Sequence, residues 1–311
     1  MKIIFMGTPD YAVKTLQAVV DAGHEVVAVF SQPDKPVGRK QILTPPPVKV
    51  LANTLGIPVF QPVTLKDAEI QQKIREMSPE AIVVVAYGKL LPVEVLNIPK
   101  YGCVNGHASL LPKYRGASPI QWSIYCGDSV TGVTTMFMNE GMDTGDILET
   151  TEVRIGPKET AEELFERLSS ISAELMVSTL NKLPNGELCP KKQDNDKATY
   201  APIIKKEMAF LDFTKTAEEH YNAVRAFYSW PCAYFFLNSK RIKVIEATVG
   251  PKTDKQSGTV IANENSLAIA CKDGTSLEII TLQPEGSKPM GAKQFLCGNQ
   301  IPLGTMVNQD V

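Results

Sequence analysis

Only three histidines occur in the 311 residues, so candidates for proton transfer near neutral pH are few. His24 falls in a Gly-His-Glu turn, and His220 follows Glu218 and Glu219 in a helical pattern; both positions suit solvation or packing. His107 differs, because it closes the run Cys103-Val104-Asn105-Gly106-His107. Open α/β sheets hold their ligands at the carboxyl ends of such strands. Strand alternation sets Asn105 and His107 on one face. Downstream, Asn139-Glu140-Gly141-Met142-Asp143-Thr144-Gly145-Asp146 has glycines that permit a tight turn, which would aim Asp143 back at the sheet end. Taken alone, that stretch reads equally well as a plain hairpin turn.

Together, Asn105, His107 and Asp143 suit acyl transfer. Attack on an acyl carbon makes a tetrahedral oxyanion, which needs hydrogen-bond donors already in place. An amide and an imidazolium supply them, and a nearby carboxylate stabilises the imidazolium and can help take a proton from an attacking amine. No Ser or Cys is paired with an obvious base, so direct transfer is the simpler scheme. Between these stretches lies Ser109-Leu110-Leu111-Pro112. Its two leucines could wall a ring while their backbone meets the ring's polar edges, although a buried loop would look similar. The first βα turn, Gly7-Thr8-Pro9-Asp10, lacks two glycines of a dinucleotide fingerprint, and Pro9 removes an amide donor. No phosphate-binding Walker motif is present.

The elements that must position these groups alternate strand and helix. Strands are expected at Lys2–Met6, Glu25–Phe30, Ile57–Phe60, Ala81–Ala86, Gly102–His107 and Thr131–Met138. Helices are expected at Asp10–Asp21, Val48–Leu55, Asp67–Met77 and from about Ser118, with a long one at Thr160–Leu180 opened by the capping box Thr160-x-x-Glu163. The unalternated Val/Ile run at Ala81–Ala86 suits a parallel strand covered on both faces. The pattern predicts an α/β fold with an open, mostly parallel Rossmann-like sheet over residues 1–188. A linker at 189–205 follows, then a smaller β-barrel of the oligonucleotide-binding kind over 206–311, built from about five short strands and a helix at Ala217–Phe227.

Composition sets outer bounds. Hydrophobic residues make up 43% and charged residues 21%, normal for a globular chain, and no apolar run is long enough to span a bilayer. Six scattered cysteines without a Cys-x-x-Cys pair suggest neither a zinc site nor a disulfide framework. A reducing cytoplasm, no membrane partner, no metal and a monomer are the expectations. Residues 1–180 carry 16 Lys+Arg against 20 Asp+Glu, and residues 181–311 carry 16 against 14. That asymmetry permits phosphate contacts in the second half without requiring them.

With these motifs in hand, the chain resembles the folate-dependent formyltransferases. The signature stands here as Asn105-x-His107, Ser109–Pro112 and Asp143–Gly145. Along its whole length it resembles the branch that formylates initiator methionyl-tRNA, through Phe5–Asp10, Gln32–Arg39, Val83–Gly88 and Arg225-Ala226-Phe227-Tyr228-Ser229-Trp230-Pro231. The resemblance implies 10-formyltetrahydrofolate as formyl donor and Asn105, His107 and Asp143 as catalytic residues. It implies that Val85, Ala86, Tyr87, Gly88, Ser109, Leu110, Leu111, Pro112 and Asp143 hold the folate. It also implies that Gln32–Pro47 is a mobile insertion that enters the tRNA acceptor end, with Arg39, Lys40 and Lys35 as contacts. Lys191, Lys192, Lys205 and Lys206 form the nearest basic cluster beyond it, and a solvated linker explains them equally well.

Three positions depart from the family. Gly106 replaces the usual Val or Ile, which predicts a gap behind the strand. The insertion is less basic than in many relatives, and Asn139 stands where an acid is common. The catalytic words alone leave other formyltransferases open, acting on a nucleotide-linked amino sugar or a glycinamide ribonucleotide. They also leave open a formyltetrahydrofolate hydrolase or a non-catalytic tRNA- or folate-binding protein; the insertion and the barrel favour tRNA.

Overall fold

The computed structural model describes residues 1–38 and 40–309. The chain opens with β1 (Lys2–Gly7), α1 (Asp10–Asp21) and β2 (Glu25–Phe30), followed by a small hairpin of β3 (Lys35–Val37) and β4 (Ile42–Thr44). Next come α2 (Pro47–Thr54), β5 (Val59–Phe60), α3 (Ala68–Glu76), β6 (Ala81–Val85) and a short α4 (Val93–Leu96). Then follow β7 (Cys103–His107), β8 (Arg115–Gly116), α5 (Pro119–Tyr125), β9 (Val130–Phe137), β10 (Ile147–Arg154), α6 (Ala161–Lys182) and β11 (Tyr200–Ala201).

Seven strands form the main sheet in the order β10-β9-β7-β6-β1-β2-β5. Five of them are parallel, while β9 runs antiparallel to β7 and β10 antiparallel to β9. The apolar strands are buried on both faces. On one face Ile4, Met6, Phe30, Ile82 and Val84 join Ile74, Tyr87 and Val95 in a continuous core. On the other, Tyr11 and Phe165 pack edge to face at 5.3 Å, and the Ser169 hydroxyl donates to the Tyr11 carbonyl. Helix termini follow local chemistry. Asp67 caps α3 by accepting the Glu69 N–H, and the Thr160–Glu163 box forms at the start of α6.

Clustering of contacts gives two units: residues 1–119, 130–154 and 165–201, and residues 120–129, 155–164 and 202–311. The second contains α7 (Ala217–Ala226), β12 (Tyr234–Leu237), β13 (Lys240–Val249), β14 (Val260–Ala262), β15 (Leu267–Ala270), β16 (Ser276–Pro284), β17 (Met290–Gly291) and α8 (Ala292–Gly298). Its antiparallel sheet runs β12-β13-β16-β15-β14, with β17 also on β16, and irregular register between Val244 and Ala247 bends β13. This is a small barrel-like domain with one strand more than the sequence suggested.

Two expectations need correction. Residues up to Ala201 do not behave as a linker: Lys191 exchanges backbone hydrogen bonds with Ile147, and β11 pairs in parallel with β8. Polar composition hid this, because the segment contributes backbone pairing more than buried side chains. The gap expected behind Gly106 is filled. A Cβ built there would lie 3.0 Å from Ser172 Oγ and 3.4 Å from Met176 Cε, so α6 occupies the room that an aliphatic side chain would take.

Candidate active site

Asn105 and His107 end β7, both buried, at 8% and 6% exposure. The His107 Nε2 lies 2.9 Å from the Tyr114 carbonyl; a carbonyl only accepts, so this nitrogen carries the proton. That bond turns Nδ1 towards Asp143, whose Oδ2 stands 3.7 Å away. Asp143 itself has a left-handed backbone, φ +53°, and its Oδ2 accepts the Gly116 N–H at 2.8 Å. Asn139 supports the same turn by accepting from Gly141 N–H and the Thr144 hydroxyl, as an Asx turn does. No hydrogen bond of the Asn105 amide is seen among the described residues, and the side chain keeps a small exposure, 8%, at the strand end.

The loop after β7 is held from the neighbouring strand. Thr134, opposite His107 in the β7–β9 register, is fully buried; its hydroxyl donates to Ser109 O at 2.7 Å and accepts Leu111 N–H at 3.2 Å. Ser109 Oγ donates to Lys113 O, and the Leu111–Pro112 peptide is cis. Leu111 is buried, whereas Leu110 leans over Gly132, where even a Cβ would come within 2.5 Å of it. At the β6 end, Ala86 and Gly88 are exposed with positive φ. The Tyr87 ring instead lies in the core, and burial pushes its hydroxyl up to about 12. The Tyr87 carbonyl accepts from the Thr8 hydroxyl and the Gln32 amide. Val85 is fully buried.

A third layer went unseen in the sequence. Gln193 donates from Nε2 to the carbonyls of Asp143 (2.9 Å) and Gly145 (2.7 Å) and accepts from Arg115 Nε and Nη2. Nothing about an isolated Gln in a polar stretch signals such a role. Of the expected tRNA contacts, Lys35 and Lys40 are exposed at the β3–β4 hairpin, beside exposed Val37, Ile42 and Leu43; Arg39 lies outside the described residues. The hairpin base is tied by Lys49, which bridges Asp34 and Gln61 and holds the Asp34 carboxyl below its usual range. Among the described residues, no group of three or more His, Cys, Asp or Glu could hold a metal ion, and no helix is long and apolar enough to cross a membrane.

An imidazole and a carboxylate thus face each other at one strand end of an open, mostly parallel sheet, with the Asn105 amide two residues earlier on the same strand. Residues 1–180 match the Formyl transferase family and residues 203–300 the Formyl transferase, C-terminal domain family. The chain belongs to the formyl transferase family. It is 45% identical over 302 residues to the methionyl-tRNA formyltransferase of Thermodesulfovibrio yellowstonii, covering 97% of each chain. It is 44% identical over 316 residues to that of Lachnospira eligens, covering 99% of this chain and 100% of the relative. In fold it is similar to an N-formyltransferase from Helicobacter canadensis solved with folinic acid and dTDP-3-aminofucose (TM-score 0.66, 22% identity, 90% of this chain and 98% of that one). It is also similar to HypX from Aquifex aeolicus in complex with tetrahydrofolic acid (TM-score 0.63, 16% identity), of whose length it spans about half, 50%, with 98% of its own.

Proposed function

We propose that this enzyme moves the formyl group of 10-formyltetrahydrofolate to the α-amino group of methionine on initiator methionyl-tRNA. The observation that carries the reading is identity of 44–45% across 97–99% of the chain with relatives bearing that activity in their names, through the C-terminal unit as well as the sheet. The donor, when bound, supplies an activated formyl carbon. The Asn105 amide, at the end of the same strand as His107, suits the oxygen that gains charge as the amine attacks. His107 holds its Nε2 proton on Tyr114 O, so Nδ1 is the atom available to the reaction, with Asp143 beside it to balance a positive ring. The amine loses one proton as the new C–N bond forms, and the departing folate nitrogen gains one. The His107–Asp143 pair supports that exchange without a covalent enzyme intermediate. Ser109–Pro112, pinned by Thr134, and the Ala86–Gly88 backbone suit a flat ring with polar edges. The barrel-like domain, with Lys35 and Lys40 on the hairpin, suits the tRNA backbone.

The test is formylation by the full chain, given 10-formyltetrahydrofolate and either charged initiator tRNA or a nucleotide-linked amino sugar. Formyl-methionyl-tRNA is the expected product. Formylation of the sugar alone, or none of either with active donor, contradicts the assignment.

A further inference from the structure

We propose that Gln193 is a positioning residue for the transfer reaction: it fixes the Asp143 turn, and through it the distance between carboxylate and His107. The proposal rests on the reading of the His107–Asp143 pair given above. The turn is held at three points, two on Asp143 and one on Gly145, each traced to the segment 193–201. The Asp143 carbonyl and that of Gly145 both accept from the Gln193 amide nitrogen. The Asp143 Oδ2 accepts the Gly116 N–H, and Gly116 is in turn placed by pairing with Ala201. At Gly116, where φ is +122°, a Cβ would meet the Ala201 carbonyl at 2.8 Å, so the two backbones touch. Flanking bonds run from Arg115 N–H to Thr199 O and from Ala117 N–H to Ala201 O.

The orientation of Gln193 is itself set from below. Its Oε1 accepts from Arg115 Nε at 3.1 Å and Nη2 at 2.8 Å, and Arg115 is 2% exposed, with a further bond from Nη2 to Asn195 Oδ1. A guanidinium only donates, so the amide oxygen must face Arg115 and the NH2 must face the two carbonyls. This matters because Asp143 is a non-glycine residue in the left-handed region, a conformation that persists only when its surroundings impose it. Without the two Gln193 bonds, the turn loses its only side-chain hold on the Asp143 carbonyl among the described residues. A displacement of about 1 Å at a reacting group can cost on the order of 100-fold in rate.

The experiment separates positioning from packing. Gln193→Glu keeps an oxygen for Arg115, so the buried guanidinium stays satisfied, but an ionised carboxylate cannot donate to the two carbonyls. Gln193→Ala removes both. We expect both variants to fold and to lose kcat for formylation of charged initiator tRNA by about 10- to 100-fold, with both KM values within about threefold. In an Asp143→Asn background the Gln193 changes should add less than about twofold, because the group they position is already gone. Near wild-type kcat in Gln193→Glu, or full additivity with Asp143→Asn, overturns the positioning role. Should Asp143→Asn alone leave turnover unchanged, the reading of the pair fails as well, and the two failures are told apart.

Discussion

His107 Nδ1 faces Asp143 Oδ2 across 3.7 Å while His107 Nε2 is bound to the Tyr114 carbonyl. The gap is wider than a hydrogen bond, which leaves room at Nδ1 for a third group. The backbone bond leaves Nδ1 as the open ring nitrogen, and the turn sets where the Asp143 carboxyl meets it.

Thr134 tests the loop proposed to hold the folate. It satisfies Ser109 O and Leu111 N–H together. Thr134→Val keeps the shape and strands both backbone groups, which predicts a loss of about 1–3 kcal/mol in stability. The KM for 10-formyltetrahydrofolate should rise more than that for tRNA; steady-state kinetics against each substrate, with denaturant unfolding, checks both.

Gly106 tests packing behind β7. Gly106→Val would push branched carbons into Ser172 and Met176, and overpacking of this sort costs about 1–3 kcal/mol. Shortening the opposing side chain in Gly106→Val/Ser172→Ala should recover part of that. A double-mutant cycle by urea unfolding is the measurement, and simple additivity would deny the contact.

His220 tests the C-terminal unit. Burial pushes its folded value down to about 4 from 6.5, against the opposing pull of Asp212 at 3.9 Å. The unfolded chain therefore binds the proton more readily, and the ring's neutral-state stability, full above about 6.5, is lost as pH falls from there towards 4. Lys215 works with burial, whereas Glu219 and Asp273 work with Asp212. Thermal midpoints of the wild type should drop more steeply over that window than those of His220→Gln, by the equivalent of about 1–3 kcal/mol. Parallel curves would contradict the burial.

The sequence made the sheet readable because several strands are continuous apolar runs and the helices between them keep a clear apolar period; α1 and β2 begin and end where periodicity placed them. The meeting of His107 with Asp143 was legible too, because strand alternation and a glycine-bearing turn aimed both at one sheet end, and they stand 3.7 Å apart. Less so was everything held by backbone. β10 follows the Asp143 turn, yet its alternating exposed and buried residues stood apart from the apolar runs. The 193–201 strap works through main-chain pairing and one amide, which composition reads as solvated linker. Gly106 was misjudged because a missing side chain was counted without the Ser172 and Met176 that face it.

Single-turnover formylation by His107→Asn, with 10-formyltetrahydrofolate binding measured on the same protein, bears most directly on the central assignment. The account predicts a chemical step slowed by about 100- to 10,000-fold with donor affinity nearly intact. A rate within a few-fold of wild type, or a loss confined to binding, would contradict it.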